Sequence, residues 1–310
     1  MLNIERFLEK YYSPDEPIIL ACSTGPDSMY LLYEILKTPY KDNLVACYFN
    51  HKLRDEADNE EKWLENLGEK MGFKVEVGYA YIKDIQKLYP SKSLEELARE
   101  KRYAFLNAIL NIYESKYIIT AHHLDDKIET FFHNLLRGTK LTGLINMTEN
   151  SGSILRPLLN LEKSEILKYL DENKLEYYID ETNKDNTITR NKLRNTIIPE
   201  FYEINSAFKK NLEKTMNYFE ELKKFLDEEI EKFIGENNYF EIEKFNNLSS
   251  LLQKEIIRYI YFKTNGNSTI GLSENNILEV LKFINGPAGK SIKEIGKMKL
   301  NKEKKKIYFK

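Results

Sequence analysis

The sequence predicts an α/β fold in which a parallel sheet flanked by helices is followed by a helical linker and a small α+β C-terminal domain. Three observations predict it. Short apolar runs alternate with helical segments as far as Pro199, a lysine- and glutamate-rich helix follows, and short helices and strands then mix to the end of the 310 residues. Strands that alternate with helices are typical of parallel sheets. We therefore expect domains at 1–205 and 206–310.

The composition is that of an ordinary globular protein, with 42% hydrophobic and 31% charged residues. No apolar run approaches the roughly 20 residues of a membrane span, and the first residues show no signal-peptide pattern, so we expect a cytoplasmic protein without a membrane partner. Cys22 and Cys47 lie in predicted strands, which argues against disulfide, zinc and iron–sulfur frameworks. A net charge of −2 argues against nonspecific nucleic-acid coating but allows a local basic patch.

The first strand and helix enclose a short polar turn. The apolar run 17–22 does not alternate, which fits a strand buried on both faces, and a helical run follows at 29–37. Between them lie Ser23, Thr24, Gly25, Pro26, Asp27 and Ser28. A helix that begins at the carboxyl edge of a parallel sheet points N–H groups at an anion and suits pyrophosphate. The alternative is a capped turn without a ligand.

A second polar group follows the second predicted strand. The apolar run 44–49 ends at a segment that contains His51 and Arg54, and a helix at 58–71 and a third strand at 74–79 come next. The two side chains lie at a strand's carboxyl end, so we expect contact with nucleotide or substrate. The alternative is a loop that only caps the following helix.

A long amphipathic helix is predicted at 93–113. Ser93 and Glu96 have the spacing of a capping box. Arg99 and Arg102 share a face of this helix. If that face is partly buried, an arginine on it can reach phosphates; the alternative is a solvated face that carries salt bridges. We favour Arg102 as a nucleotide contact.

The fourth predicted strand, 117–121, is followed at once by a cluster of titratable residues on a helix that runs to Arg137. The cluster consists of His122, His123, Asp125, Asp126 and Glu129. Such a group can bind Mg²⁺, orient an amine or move protons. Zinc is a competing ligand, but the spacing matches no zinc pattern and the acidic bias favours a hard cation.

Polar and basic residues recur before the domain boundary. A segment between 180 and 195 carries Asn183, Arg190 and Arg194, which we expect to meet nucleotide or RNA phosphate unless they are ordinary loop residues. A linker helix is predicted at 202–233. The lysine-rich C-terminal domain presents either an RNA-facing edge or a solvated surface.

Taken together, these motifs resemble those of the tRNA(Ile)-lysidine synthetase family, which belongs to the PP-loop ATP pyrophosphatase superfamily. The matching segments are Ser23 to Ser28, Asn50 to Arg54, Glu95 to Tyr103, Ala121 to Asp126, Leu136 to Gly138 and Arg190 to Arg194. Weaker likeness continues through Gly289 to Ile292. Three residues depart from the family pattern, where glycine, glutamine and glycine are usual: Thr24, Lys127 and Lys140.

The resemblance implies a PP-loop, Rossmann-like fold and ATP-dependent modification of the wobble cytidine in a tRNA-Ile with a CAU anticodon. The cytosine C2 oxygen is adenylylated with loss of pyrophosphate, and the ε-amine of free lysine then displaces AMP to form lysidine. ATP and Mg²⁺ are the implied cofactors. Whether the chain forms a homodimer is left open.

Roles follow from the resemblance and this chemistry together. The catalytic candidates are Asp27, Asp125, Asp126, His123 and Glu129, without a choice of the general base. The nucleotide-binding candidates are Ser23, Thr24, Gly25, Pro26, Asp27, Ser28, His51 and Arg102, and the metal ligands are Asp27 and Asp126. The tRNA contacts are expected at Arg137, Asn183, Arg190 and Arg194.

Three rival functions remain. A PP-loop tRNA thiolase of the known cysteine-dependent types needs reactive cysteines, whereas Cys22 and Cys47 lie in predicted strands. An amide-forming PP-loop ligase with a glutaminase part needs an N-terminal cysteine, but residue 2 is Leu2. A noncatalytic RNA-binding protein would not need the three intact aspartates Asp27, Asp125 and Asp126.

Overall fold

The computed structural model describes residues 3–54, 56–145, 147–179, 189–266, 271–287, 289 and 291–310. The chain divides into two compact units, of which the first comprises Met1–Gly138 and Asn146–Lys209 and the second Thr139–Ile145 and Lys210–Lys310. No helix in the described ranges is both long and apolar enough to cross a membrane.

The first unit is built on a sheet whose strand order is β3-β2-β1-β4-β6-β5. Its strands are β1 (Ile18–Ala21), β2 (Leu44–Asn50), β3 (Lys74–Tyr79), β4 (Ile118–Ile119), β5 (Asn150–Ser151) and β6 (Ile154–Leu155). Neighbouring strands are parallel except for the edge hairpin of β5 and β6. The predicted parallel sheet is confirmed. Since β1 is central, the loop after it lies between the polar segments that follow β2 and β4.

Helices cover both faces of this sheet. They are α1 (Ile4–Glu9), α2 (Pro26–Ile35), α3 (Glu56–Met71), α4 (Ile82–Leu88), α5 (Leu94–Ile112), α6 (Leu124–Leu136), α8 (Lys163–Glu172), α9 (Thr189–Lys192) and α10 (Ile198–Ile204). Alternate residues of β1 enter different cores: Ile18 and Leu20 pack in the cluster that contains α2 and α8, and Ile19 packs with Leu106 of α5. The loops at the carboxyl edge of the sheet therefore emerge between two helical layers.

The predicted linker helix differs in one respect from the structure. The helix expected at 202–233 is interrupted, because α10 ends at Ile204, Asn205 is extended, and α11 (Phe208–Ile234) begins three residues later. The Asn205 side chain accepts a hydrogen bond from the backbone N–H of Ala207 at 2.9 Å. Asparagine competes for backbone groups in this way, which explains why the helix is interrupted there.

The second unit has a four-stranded antiparallel sheet in the order β7-β10-β9-β8. Its elements are α7 (Leu141–Leu144), most of α11, β7 (Tyr239–Glu241), α12 (Ile242–Asn246), α13 (Ser250–Thr264), α14 (Glu274–Asn285), β8 (Ser291–Ile295), β9 (Met298–Glu303) and β10 (Lys306–Phe309). Its core includes Phe245, Ile256, Val280 and Ile307. The predicted small α+β region is confirmed.

Candidate active site

The loop between β1 and α2 forms a compact turn around the Ser28 hydroxyl. Gly25 is the extended N-cap of α2, and Pro26 begins the helix. The Ser28 hydroxyl accepts a hydrogen bond from the N–H of Ser23 at 3.1 Å and donates to the carbonyl of Gly25 at 3.0 Å. These contacts fold the chain back on itself, so that α2 starts directly at the sheet's carboxyl edge.

Carboxylates from the loop and from α6 converge on His123. The Nε2 atom of this buried histidine lies 3.6 Å from Oδ1 of Asp27 and 3.4 Å from Oδ2 of Asp126, and its Nδ1 atom lies 3.6 Å from Oδ2 of Asp125. The N–H of His123 also donates to Asp126 at 3.0 Å, which caps α6. The structure thus brings together four of the five predicted catalytic residues around one imidazole.

The carboxylates raise the pKa of His123. Burial alone would lower it, but the hydrogen bond to Asp27 and the charges of Asp126 and Asp27 outweigh burial. Conversely, burial opposes ionisation of Asp27, yet His123 and Lys163 together lower its pKa. The group therefore holds ionised carboxylates beside an imidazole that gains a proton readily.

Two lysines that the sequence analysis missed contact these carboxylates. The ammonium of Lys163 lies 2.5 Å from Oδ1 of Asp27, and its backbone N–H donates to Asp125 at 2.8 Å. The ammonium of Lys209 lies 2.6 Å from the other oxygen of Asp125 and 3.0 Å from Glu162. One signal was available, since Lys163 begins α8 and a cation at a helix N-terminus is unfavourable unless a carboxylate compensates it.

The fifth predicted catalytic residue, Glu129, is bound by Arg194. Its two oxygens accept from Nε and from a terminal nitrogen of the guanidinium at 2.5 and 2.8 Å, and the same guanidinium lies 3.4 Å from Asp126. Burial raises the pKa of Glu129 in spite of this pairing. Arg194, expected at an RNA phosphate, thus lies against the acidic cluster.

A second group of basic residues lies near His51 and His122. Arg99 and Arg102 of α5 both lie over the ring of Tyr103, at 4.9 and 5.5 Å from its centroid. Burial and the charge of Arg102 lower the pKa of His51 to about 4. The sequence analysis missed Arg156, which follows β6 and is buried. The residues around it in the sequence do not distinguish it from an arginine that has a purely structural role.

The remaining predicted contacts lie elsewhere. Arg137 is exposed at the far end of α6, about 20 Å along the helix from His123 by the rise of 1.5 Å per residue. Arg190 pairs with Glu95 at 3.3 Å, away from the loop. Asn183 lies outside the described residues. Of the three predicted tRNA contacts that the structure describes, Arg194 lies against Glu129, whereas Arg137 and Arg190 both lie near enough to His133 that their charges add to the effect of burial in lowering its pKa.

Asp27 and Asp126 fit a magnesium site of limited kind. One oxygen of each carboxylate lies within 3.6 Å of the Nε2 atom of His123, so the two carboxylates are close together. Hard oxygen ligands suit Mg²⁺. In the described part of the chain no three histidine, cysteine, aspartate or glutamate side chains are grouped as metal ligands. The donor set therefore fits an ion shared with substrate phosphates, which is how Mg²⁺ commonly binds in nucleotide sites.

Comparisons with known proteins agree with the sequence motifs and the fold. A family model described as the PP-loop domain matches residues 1–201. The chain is 30% identical over 300 residues to a tRNA(Ile)-lysidine synthase of Bacteroides thetaiotaomicron, covering 93% of this chain and 66% of that protein. It is 32% identical over 260 residues to the enzyme of that name from Staphylococcus aureus, covering 78% and 59%.

Solved structures agree on the fold. The U34-tRNA thiolase NcsA from Methanococcus maripaludis has a TM-score of 0.56 at 17% identity, covering 70% of this chain and 77% of that one. At that identity the likeness concerns the fold alone. The chain spans 59 to 66% of the length of the two curated relatives. The motifs, the sheet and the matched domain agree, and the chain belongs to the PP-loop family, with tRNA(Ile)-lysidine synthases among its relatives.

Proposed function

We propose that this chain ligates lysine to C2 of the wobble cytidine of a CAU-anticodon tRNA-Ile, with ATP as the energy source. The observation that carries the proposal is the convergence on His123 of the PP-loop aspartate and the α6 carboxylates within 3.6 Å. The similarity to tRNA(Ile)-lysidine synthases supports the choice of substrates. We place the reaction in the cytoplasm, where ATP and tRNA meet.

The loop serves the first step, in which cytosine O2 attacks the α-phosphorus of ATP and the bond to pyrophosphate breaks. The N-terminus of α2 offers unpaired N–H groups to the departing pyrophosphate. The loop carries no lysine, but Lys163 brings an ammonium to Asp27 and is well placed to meet the same phosphates. Such fixed positive charge stabilises a leaving group whose charge grows in the transition state.

Asp27 and Asp126 would hold Mg²⁺, which supplies further positive charge to the phosphates when it is bound. Asp27 is then required twice, since it also orients His123 and Lys163. Arg102 of α5 is our candidate for a phosphate contact at the other side of the sheet's carboxyl edge. Arg137, Arg190 and Asn183 are kept as candidates for contacts with more distant parts of the tRNA.

In the second step the ε-amine of lysine attacks C2 of the adenylylated cytosine, and the C2–O bond to AMP breaks. The amine must lose a proton to attack. Both oxygens of Asp125 contact Lys209 or the N–H of Lys163, and both oxygens of Glu129 contact Arg194. Asp126 accepts the N–H of His123 at 3.0 Å, lies 3.4 Å from Arg194 and is a proposed metal ligand, so these contacts single out no carboxylate, and the proton acceptor is one of Asp125, Asp126, Glu129 and His123.

The cysteines argue against the thiolase alternative. Cys22 and Cys47 are 4% and 2% exposed, and burial raises the pKa of both thiols. A buried thiol with a raised pKa provides no thiolate for sulfur transfer at neutral pH. The shared fold with a thiolase thus does not extend to this chemistry.

The test is incorporation of radiolabelled lysine into an isoleucine tRNA transcript with a CAU anticodon, in the presence of ATP and Mg²⁺. Label should enter this RNA and not an elongator methionine tRNA, and Asp27→Ala should abolish incorporation. If AMP and pyrophosphate form without label, the adenylylating loop is correct and the nucleophile is wrong. If no label enters the RNA and no AMP or pyrophosphate forms, the result would favour a noncatalytic RNA-binding protein.

A further inference from the structure

Thr24 has an unusual backbone conformation in the loop between β1 and α2. We call this loop, Ser23 to Ser28, the pyrophosphate loop. Its φ angle is 60°, in the left-handed region, and its side chain is fully buried. β-Branched residues rarely adopt this conformation, which persists only where surrounding contacts impose it. The resemblance to PP-loop enzymes places a glycine here, and glycine would adopt the same φ without strain. Some feature of this chain must therefore hold Thr24 in place.

Glu60 of α3 provides that contact. The Thr24 hydroxyl proton is shared between the carbonyl of Ser23 at 2.6 Å and Oε2 of Glu60 at 3.0 Å. Glu60 is only 4% exposed, and the Tyr48 hydroxyl and the Arg54 guanidinium lie 3.1 and 3.2 Å from its oxygens. A buried carboxylate with three polar partners cannot move freely, so it anchors the loop to α3.

A second contact, from Tyr178 in the segment after α8, holds the other side of Thr24. The carbonyl of Thr24 accepts a hydrogen bond from the N–H of Tyr178 at 2.9 Å. The ring of Tyr178 packs edge-on against Trp63, with centroids 5.2 Å apart. Trp63 follows Glu60 by three residues on α3 and therefore lies on the same face of this helix. The side chain of Thr24 is thus held directly by α3, and its carbonyl is held by a residue that packs against α3.

We propose that Glu60 is a positioning residue that acts through the Thr24 hydroxyl to hold the pyrophosphate loop in the shape that binds ATP. Thr24 is followed immediately by Gly25 and Pro26, which begin α2, so its φ angle sets the direction of the first turn of that helix. The proposal rests on the proposed function only in taking this loop as the ATP site, and it is independent of the tRNA and lysine.

The experiment measures the affinity of the full chain for α,β-methylene-ATP with Mg²⁺ by isothermal titration calorimetry. This analogue cannot be cleaved at the α,β bond, so neither tRNA nor lysine is needed. Glu60→Leu removes the acceptor and should weaken binding about tenfold, whereas Glu60→Gln retains an acceptor oxygen and should weaken it about threefold. Glu65→Leu, on the exposed side of α3, is the matched control and should leave the affinity unchanged.

The Thr24 variants separate positioning from general stability. Thr24→Val keeps the shape but loses the hydroxyl, and should weaken binding about tenfold, while Thr24→Ser should remain within about twofold of the wild type. Adding Glu60→Leu to Thr24→Val should weaken binding by less than about twofold more, because the two residues act through one contact. Thermal unfolding identifies a variant that fails to fold, and in that case the Val and Ser pair decides.

Three results would overturn the proposal. They are an unchanged affinity in Thr24→Val, equal affinities in the Val and Ser variants, and fully additive effects of the Thr24 and Glu60 substitutions. If the wild-type chain bound no analogue, the ATP site itself would be wrong, and the proposal with it. If the wild-type chain binds the analogue but incorporates no lysine into the tRNA, the proposed lysine transfer to tRNA is wrong and the proposal for Glu60 is unaffected.

Discussion

His122 and His123 are adjacent in the chain and lie in opposite electrostatic surroundings. Three carboxylates lie within 3.6 Å of the His123 ring, and they raise its pKa against the effect of burial. Burial lowers the pKa of His122 to about 4, with Asp126 opposing it and Arg156 and Arg102 adding to it. The Nδ1 atom of His122 is 2.8 Å from the Thr120 hydroxyl, whose oxygen lies 3.4 Å from the carbonyl of Leu155.

Burial is the largest cause of the low pKa of His122, and charge divides the carboxyl edge in part: carboxylates surround His123, whereas Arg156, Arg102 and Arg99 act on His122 against Asp126. The side toward the β1 loop is acidic and suits Mg²⁺ or an ammonium, and the side toward α5 is basic and suits phosphate. The division does not appear in the composition, since the net charge of the chain is only −2. A reaction that brings together ATP, RNA and an amine needs both kinds of surface within one site.

The largest effect is expected from removing the charge at the centre of the acidic side. Asp27→Asn should lower the rate of pyrophosphate release about a thousandfold, because Asp27 contacts both His123 and Lys163 and is a proposed metal ligand. Asp84→Asn, on exposed α4, is the control and should retain full activity. A loss of less than tenfold in Asp27→Asn would show that the acidic side does not carry the first step.

The next largest effect on the rate is expected from removing the ammonium of Lys163, which contacts Asp27. Lys163→Gln should slow pyrophosphate release about a hundredfold, and Lys163→Arg should recover part of the rate, since a cation near Asp27 is retained. Lys168→Gln removes a charge from the same helix at an exposed ion pair with Glu172 and should change little. Equal effects of the Lys163 and Lys168 substitutions would contradict a role at the phosphates.

The two histidines should respond to pH in opposite directions. The folded-state pKa of His123 is above its unfolded value of about 6.5, so its stabilising contribution is complete below pH 6.5 and is lost as pH rises through the folded pKa. The folded pKa of His122 is about 4, so the protein loses stability as pH falls from 6.5 toward 4, by an amount on the order of 3 kcal/mol.

Urea unfolding at several pH values tests this contrast. His123→Asn should lower the free energy of unfolding more at pH 6 than at pH 9, and His122→Asn should reduce the loss of stability below pH 6.5. The same sign of pH dependence in both variants would mean that the two rings share one environment, and the charge division would then be wrong.

The smallest effect concerns the basic side alone. Arg102→Gln should raise the pKa of both His51 and His122 from about 4 toward 6.5, because Arg102 opposes the protonation of each. The chain contains four histidines, so their ring protons can be followed individually by NMR. Arg137→Gln, at the far end of α6, should leave both values unchanged. A larger shift at His123 than at His122 would contradict the division.

The sequence by itself determined the features that depend on local pattern. Apolar runs identified β1, β2 and β4, alternation identified β3, and the two-residue strands β5 and β6 were not predicted. Ser93 was predicted to cap α5, where it accepts the N–H of Glu96 at 3.1 Å. The residues around His123 were found because they follow two neighbouring strands and lie within one helical turn of each other. Apolar runs, caps and strand ends are encoded by consecutive residues, so they can be read without the fold.

Only the tertiary structure decided which charges meet. Lys163 is 136 residues from Asp27 and Glu60 is 36 residues from Thr24, and no short-range pattern joins either pair. The break at Asn205 likewise interrupts a helix whose lysine and glutamate content favoured continuity. The physical reason is that an ion pair depends on distances of a few ångströms, and these are set when α3 and α8 pack against the sheet rather than by the residues beside each charge.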